Sequence, residues 1–416
     1  MLDDRGSSMT MFRLTNAIVF DGHEVRDGVD VVVENDHIVE VGPGSIGASD
    51  AAVVNCEGGF LMPGLIDAHF HAYSPTFDIP AADRMPPSLL ASHAAKVLRG
   101  ALHRGFTTVR DAGGGERGLQ MAIDEGLIEG PRFHFAGKAL SQTGGHGDSR
   151  PGNEIDLCGC QAASGSISRV VDGIDAMRLA VRDELRCGAS QIKIFVSGGV
   201  LSPTDPMWMP QFTDDEIRAA VYEAGTRRKY VMAHCHTDEG ARRCVTLGVR
   251  SIEHGSLIHR DDTAQLIAEH GAYVVPTLSV AEILKKHASE LGIPPMGVIK
   301  IREAIDQMFA SIETCRRNGV KLGLGTDLLD HRYHPAQGGE FELRGRVDDP
   351  IEVLRSATSV NAEIMQMTGE IGCIAPGAFA DLLLVAGDPL KDLTLFKSIG
   401  DLPFLMKAGQ VVRNTL

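Results

Sequence analysis

Residues 64–71 constrain this chain more than any other part of the sequence. They form an apolar run that ends in two histidines, His69 and His71, two residues apart. Side chains alternate between the two faces of a β-strand, so positions i and i+2 point the same way. Both imidazoles can therefore bind one ion from a single strand, and imidazole suits zinc and similar divalent metals.

Four further predicted strands carry potential metal ligands near their ends. Ligands collected from the C-terminal ends of several parallel strands are how a (β/α)8 barrel builds an active site. The pattern therefore predicts a metal site at the mouth of a parallel barrel. The residues concerned are Lys193 in 191–196, His234 and His236 in 230–236, His254 in 251–255, and Asp327 in 321–327.

The middle of the chain alternates between strands and helices. With the strand at 64–71 counted first, eight strands alternate with helical stretches, which predicts a (β/α)8 TIM-type barrel. Thr213 and Glu216 form a capping box that starts one of the helices. Long loops at 141–165 and 197–212 follow strands and are expected at the catalytic mouth. The other strands are predicted near 107–111, 132–137, 191–197, 230–234, 251–254, 272–276 and 321–326, and helices at 87–104, 168–187, 213–228, 261–270 and 298–318.

Both ends of the chain are predicted to be β. Short strands with turn signals between them fill the first sixty residues, and the last forty resemble them. We therefore expect a small β-sandwich domain built from residues 1–62 and 376–416, and a barrel domain at 63–375. The strands are predicted at 12–14, 17–20, 29–33, 37–41, 381–385 and 404–412.

Charge and composition exclude several classes of partner. The net charge of −15 argues against nucleic acid and anionic membranes, since both require a basic face. No apolar run approaches the roughly 20 residues that span a bilayer, and residues 1–5 lack the pattern of a secretion signal. Eight cysteines in a chain of this length do not form a disulfide framework, and Cys158 and Cys160 have no second pair for a zinc site. We expect the reducing cytoplasm.

Lys193 is an ammonium in an apolar strand, which costs several kcal/mol unless it is paired or chemically changed. One solution is an ion pair with a nearby carboxylate. The other is carboxylation by CO2, which gives a carbamate (N6-carboxylysine) that can bridge two metals. The surrounding histidines favour carboxylation.

Six stretches resemble a known family. The chain is similar to members of the amidohydrolase superfamily with a binuclear metal centre. Within that superfamily it is most similar to metal-dependent dipeptidases, including prolidase-like and Xaa-Arg or Xaa-Lys carboxypeptidase-like enzymes. The matching stretches are residues 62–71, 105–114, 139–146, 191–194, 251–255 and 325–329.

The resemblance implies a role for each ligand. His69, His71 and Asp327 would bind the more buried metal, His234 and His254 the other, and carboxylated Lys193 both. Two divalent ions, expected to be Zn²⁺, would share a bridging hydroxide as the nucleophile. Bound water reaches a pKa near about 7 on such metals. Asp327 would act as general base and then as general acid.

Two more histidines are candidate site residues. His236 shares a strand face with His234, so a metal contact is geometrically possible, but a place in the wall of the substrate pocket is favoured. His146 lies in a Gly-Gly-His loop after the third strand. The motif match makes it a hydrogen-bond donor to an oxygen of the substrate or of the transition state.

Substrate contacts are harder to predict. In the resembling dipeptidases a tyrosine at the position of Tyr230 meets the substrate carboxylate, whereas a core tyrosine is the alternative. Trp208, between two methionines, suits a pocket lid or ordinary packing. Arg150 and Arg344 are candidate carboxylate partners because a guanidinium matches carboxylate geometry.

The expected substrate is a dipeptide with a free C-terminal carboxylate. In this branch the segment 277–286 shapes the pocket for the C-terminal side chain. It shows no dedicated acidic pocket for Arg or Lys, although Glu282 could serve, and its composition favours Xaa-Pro. Alternatives are N-acyl amino acids or aryl amides, Xaa-Arg/Lys dipeptides, a mononuclear deaminase or cyclic amidohydrolase, and a non-catalytic scaffold. A homo-oligomer is expected.

Overall fold

The computed structural model describes residues 11–44, 51–150, 166–200, 205–291 and 295–416. Its strands are β1 (Met11–Thr15), β2 (Ile18–Phe20), β3 (Val25–Asp27), β4 (Asp30–Glu34), β5 (His37–Gly42), β6 (Ala52–Asn55), β7 (Phe60–Pro63), β8 (Leu65–Phe70), β9 (Phe106–Asp111), β10 (Arg132–Phe135), β11 (Ala139–Ser141), β12 (Ser168–Val170), β13 (Ile192–Phe195), β14 (Val231–Thr237), β15 (Ser251–Leu257), β16 (Tyr273–Val275), β17 (Lys321–Leu322), β18 (Leu382–Val385), β19 (Phe404–Lys407) and β20 (Gln410–Asn414).

The α-helices are α1 (Ile79–Asp83), α2 (Pro87–His103), α3 (Arg117–Asp124), α4 (Ile174–Arg186), α5 (Asp214–Thr226), α6 (Asp238–Thr246), α7 (Asp261–Glu269), α8 (Leu278–His287), α9 (Pro295–Arg317), α10 (Gly339–Arg344), α11 (Pro350–Ser356) and α12 (Ser359–Ile364). Short 3₁₀ turns lie at His334–Ala336, Leu393–Lys397 and Ile399–Asp401. Among the described residues, no helix combines the length and the apolar character that crossing a bilayer requires.

Parallel strands form two sheets in the middle of the chain. One has the order β10-β9-β8, and the other has the order β12-β11-β13-β14-β15-β16-β17. Backbone hydrogen bonds join the sheets: Ser190 N donates to Phe135 O at 2.8 Å, Ala68 N to Leu324 O at 2.9 Å, and Asp327 N to His69 O at 2.8 Å. The strands that carry the predicted ligands therefore belong to one parallel, α/β arrangement.

The predicted capping box of α5 is confirmed. Thr213 accepts a hydrogen bond from Glu216 N at 3.3 Å, and Glu216 accepts one from Thr213 N at 2.7 Å. Both partners lie within four residues, so the pattern needs no tertiary information.

Two predicted elements were wrong in their extent. The helix predicted at 168–187 begins only at Ile174, because Gly173 has a φ of +87° and ends an extended segment. That segment is β12, and it pairs with β11. The strand predicted at 404–412 is a hairpin of β19 and β20. Ala408 and Gly409 both have positive φ (+45° and +72°), as a two-residue hairpin turn requires.

The two chain ends form a β layer together. A four-stranded sheet has the order β5-β4-β1-β6, and a six-stranded sheet has the order β20-β19-β18-β7-β2-β3. In the second sheet β7 pairs antiparallel with β18, Phe60 opposite Val385, so strands from both termini share one sheet. The buried side chains between these strands include Leu14, Val31, Leu61, Leu384 and Phe404.

The described cysteines are free thiols. Cys158 and Cys160, the weak zinc candidate, lie outside the described residues.

Gly64 links the terminal β layer to the strand that carries His69 and His71. A Cβ at Gly64 would lie 2.2 Å from Thr107 Oγ1 on β9. Gly64→Ala should therefore destabilise the protein by about 1–3 kcal/mol through overpacking, measured as a lower urea unfolding midpoint. The second change Thr107→Ala should restore part of the loss.

Gly225→Ala is the matched control. Gly225 lies in α5, and no neighbouring atom stands within 4 Å of the place that an alanine Cβ would take. Alanine there should be neutral or stabilise by up to about 1 kcal/mol. Equal midpoints for Gly64→Ala and the parent chain would contradict the packing argument.

Candidate metal centre

The structure brings all six predicted metal ligands into one cleft. The part of the cleft that these ligands line measures about 1160 Å³, counting its open mouth. The ligand side chains come from β8, β13, β14, β15 and the segment after β17. They are His69, His71, Lys193, His234, His254 and Asp327.

Asp327 lies at the centre of this cluster. His71 Nε2 is 3.1 Å and His69 Nε2 is 3.5 Å from Asp327 Oδ1, and His254 Nδ1 is 3.9 Å from Oδ2. The ligand atoms of His69, His254 and Asp327 all lie within 4.8 Å of one another. Imidazole and carboxylate at this spacing suit a divalent ion.

Two of these residues have strained backbones. Asp327 has a φ of +52° and His254 a φ of +73°, in the left-handed region that non-glycine residues rarely adopt. Each such residue costs of order 1–3 kcal/mol and is retained mainly at functional sites. The strain has a geometric result: strict alternation along β15 would put Glu253 and His254 on opposite faces, yet both contact His69.

Glu253 is a functional candidate that sequence reasoning missed. Its Oε2 is 2.7 Å from His69 Nδ1, while Oε1 accepts hydrogen bonds from Arg110 Nη2 at 2.9 Å and Ser251 Oγ at 2.7 Å. Burial alone would raise the pKa of Glu253, but Arg110 and His69 bring it down to about 2. The ionised carboxylate holds a proton on His69 Nδ1 and leaves Nε2 to face Asp327 and a metal. The sequence signal for this role was the acidic residue within the predicted strand 251–255, directly before His254.

Lys193 is 2% exposed. No hydrogen bond or ion pair joins its amine to another described residue, and the ring centre of Phe195 lies 5.8 Å from Nζ. Burial lowers its pKa to about 8, against the opposing effect of Glu253 and Asp327. The structure therefore does not show the alternative of a direct lysine–carboxylate pair, and a neutral amine is the form that reacts with CO2.

His146 and His236, the two other candidate histidines, lie beside the cluster. The His234 ring lies 4.3 Å from that of His146 and 4.5 Å from that of His254. His236 Nδ1 is 3.0 Å from Ser256 Oγ, and His146 Nδ1 is 3.3 Å from Asp205 Oδ2. Burial lowers the pKa of His234 well below its usual value and that of His236 to about 3, so both rings are neutral and can act as ligands or donors.

The cleft has two arms that share His146, His234, His254 and Asp327. The first, which we name the apolar arm, extends towards α8 and α9. The second, the α1 arm, extends towards the start of α1. The apolar arm is lined further by Val200, His236, Ser256, Thr277, Val280, Ala281, Leu284, Ile301 and Met308. Residues of the α1 arm include Phe77, Asp78, Ile79, Pro80, Ile167 and Leu329.

Two predicted substrate contacts lie elsewhere. Tyr230 precedes β14 and is buried with the guanidinium groups of Arg110 and Arg250 at 5.9 and 5.7 Å from its ring centre. This is the core position that the sequence left as the alternative. Trp208 is 73% exposed and lies outside the described lining of the cleft. Neither position supports a contact with substrate.

The candidate arginines and the acidic residue of the pocket segment also have other roles. Arg344 donates to Asp348 Oδ2 at 2.6 Å and to Gly323 O at 2.7 Å, and Arg150 donates to Asp148 at 2.6 Å. Glu282 lines a separate surface depression with Lys286. The pocket segment itself does line the cleft, through α8.

Histidines, a lysine and an aspartate meet where the parallel strands end, and such a set of side chains suits divalent metal ions. Residues 60–412 match the amidohydrolase family, and the chain belongs to that family. It is 31% identical to ochratoxinase of Aspergillus niger over 382 residues, 85% of this chain and 75% of that protein.

Two crystal structures are more similar. An amidohydrolase shares 44% identity and a TM-score of 0.94, covering 98% of this chain and 100% of the other. A prolidase complexed with N-methylphosphonate-L-proline shares 43% identity and a TM-score of 0.94 at the same coverage. The chain is therefore a hydrolytic enzyme that acts on amide bonds, and its resemblance to the dipeptidase branch is confirmed. The family generally uses divalent metal ions.

Glu253→Gln should weaken metal binding about 10- to 100-fold, because the neutral amide no longer holds the proton on His69 Nδ1. The measurement is the metal retained after dialysis against a graded series of chelator concentrations. Glu239→Gln, an exposed change on α6, is the control. Unchanged retention in a folded Glu253→Gln protein would show that Glu253 does not orient His69.

Proposed function

We propose that this chain hydrolyses the amide bond of dipeptides with a free C-terminal carboxylate, with Xaa-Pro as the favoured class. The observation that carries the proposal is the apolar arm beside the ligand cluster. Its walls come from Val280, Ala281, Leu284, Ile301 and Met308, and a proline ring fits such a surface.

We also propose that the parallel strands of residues 63–375 form one closed (β/α)8 barrel, in which β10 and β11 count as one strand and β12 lies outside. The composite β-sandwich would then comprise 1–62 and 376–416. The backbone hydrogen bonds that join the parallel sheets support closure, and the shared sheet of β7 and β18 supports the composite domain.

The donor set fits two zinc ions. His69, His71 and Asp327 would hold the more buried ion, His234 and His254 the other, and the carbamate of Lys193 both. When bound, the ions would supply an activated water and polarise the scissile carbonyl. The buried amine of Lys193, which has no hydrogen bond or ion pair to a described residue, supports the carbamate.

Asp327 would transfer protons, and His146 would stabilise negative charge in the transition state. Burial would raise the pKa of Asp327, but His69 and His71 beside it bring the pKa below its usual value. Asp327 is therefore an ionised base that can accept a proton from water and deliver it to the leaving amine. His146, held by Asp205, would donate a hydrogen bond to the transition-state oxygen.

The two arms suit the two ends of a dipeptide. His236 and Ser256 line the apolar arm and would donate to the substrate carboxylate. Two carboxylates, Asp327 and Asp78, are among the described lining of the α1 arm. Asp78 would suit the α-ammonium group of the substrate. Glu282 lies outside the cleft, which disfavours Xaa-Arg and Xaa-Lys.

A second candidate is hydrolysis of N-acyl or aryl amides of amino acids. The similarity to ochratoxinase favours it, and the same centre and apolar arm would serve.

Lys193→Ala should lose most bound metal and activity, because the bridging group is gone. Small carboxylic acids should restore part of the activity by taking the place of the carbamate. Metal per chain and turnover, with and without added acid, are the measurements. The exposed Lys229→Ala is the control, and unchanged metal in Lys193→Ala would rule out the bridge.

A substrate panel separates the candidate functions. With zinc and bicarbonate, Ala-Pro should be hydrolysed at least about ten times more efficiently than Ala-Arg and N-acetylproline, measured as kcat/KM. Strong turnover of Ala-Arg with none of Ala-Pro would refute the Xaa-Pro assignment. Turnover confined to N-acyl or aryl amides would establish the second candidate.

A further inference from the structure

The helix that walls the apolar arm lacks a cap of its own. Thr277 is the N-cap residue of α8, but its side chain makes no capping hydrogen bond. Its hydroxyl instead lies 2.8 Å from His254 Nδ1. The first amides of α8 therefore need another acceptor, since a helix start leaves four of them without an intrahelical partner.

Glu340 supplies that acceptor from α10. Its Oε2 accepts from Ser279 N at 2.7 Å and its Oε1 from Leu278 N at 3.2 Å. The side chain is fully buried. A carboxylate at this point satisfies two amides and interacts favourably with the positive end of the helix dipole.

The element that carries Glu340 is itself anchored to the metal side of the site. Arg344, also on α10, donates to the carbonyl of Gly323 at 2.7 Å, four residues before Asp327. On the other side of α10, a Cβ at Gly338 would lie 1.9 Å from Phe396 O, so the chain is closely packed there. Glu340 thus stands on a rigid support tied to the strand that leads to Asp327.

We propose that Glu340 is a positioning residue that sets the width of the apolar arm, and with it the choice of C-terminal residue in the substrate. The start of α8 is held at two points, by His254 through Thr277 and by Glu340. Val280, Ala281 and Leu284 follow within two turns and form the wall. This inference rests on the proposed function in so far as the apolar arm receives the C-terminal residue.

The test compares Glu340→Gln and Glu340→Asp with the parent enzyme on Ala-Pro and Ala-Phe. Gln keeps one acceptor oxygen without the charge, and Asp withdraws the carboxylate from α8 by one methylene. We expect KM for Ala-Pro to rise about three- to ten-fold, kcat to change less than two-fold, and the Ala-Pro to Ala-Phe preference in kcat/KM to fall by a similar factor. Metal content should stay at the parental value, while the unfolding midpoint should fall modestly because two buried amides of α8 lose part of their acceptor.

Glu342→Gln is the matched control, since Glu342 lies on the same helix but pairs with Lys397 at 2.8 Å. It should leave both ratios unchanged. A parental preference in folded, metal-loaded Glu340→Gln and Glu340→Asp would overturn the inference, as would equal losses on both substrates. If the parent cleaves only N-acyl amino acids, the proposed function fails, and the same ratio measured on N-acetylproline and N-acetylphenylalanine still tests Glu340.

Discussion

The burial of the Lys193 amine is the constraint on which the site depends. An ammonium in this position is 2% exposed and has no hydrogen-bonded anion among the described residues, and the cost of such a buried charge is several kcal/mol. The proposed conversion to a carbamate would remove the unfavourable cation and would create a bidentate anionic ligand. Together with the four imidazoles and Asp327, this ligand would surround a space suited to cations.

Residues around Lys193 fix the orientation of the neighbouring histidine side chains. The ion pair of Arg110 and Glu253 is buried and bound to His69, so a change in either residue would reach the metal through one imidazole. His254 is held by Thr277, and Thr277 begins the helix that walls the apolar arm. His254 and the wall of the apolar arm are therefore connected through the start of α8, which Glu340 holds from the other side.

The sequence predicted that these side chains lie together because each stands in or shortly after a predicted strand, and a parallel sheet collects strand ends at one edge. The capping box at Thr213 was predicted because its partners are close in sequence. Glu253 and Glu340 were missed because their partners are distant: His69 lies 184 residues from Glu253, and Ser279 lies 61 residues from Glu340. Tyr230 lies in the core position that the sequence left open as the alternative, and its neighbours Arg110 and Arg250 are distant in sequence. The ion pair of Arg344 with Asp348 is close in sequence, but it was not predicted. The β12 strand was missed because only residues 171–173 separate it from α4.

A crystal structure of the metal-loaded protein, with anomalous data at the zinc edge, addresses the central claim directly. Two anomalous peaks in the cleft, together with branched, planar density extending from Lys193 Nζ to both, are the predicted result. An unmodified amine beside a single peak, or beside none, would contradict the account.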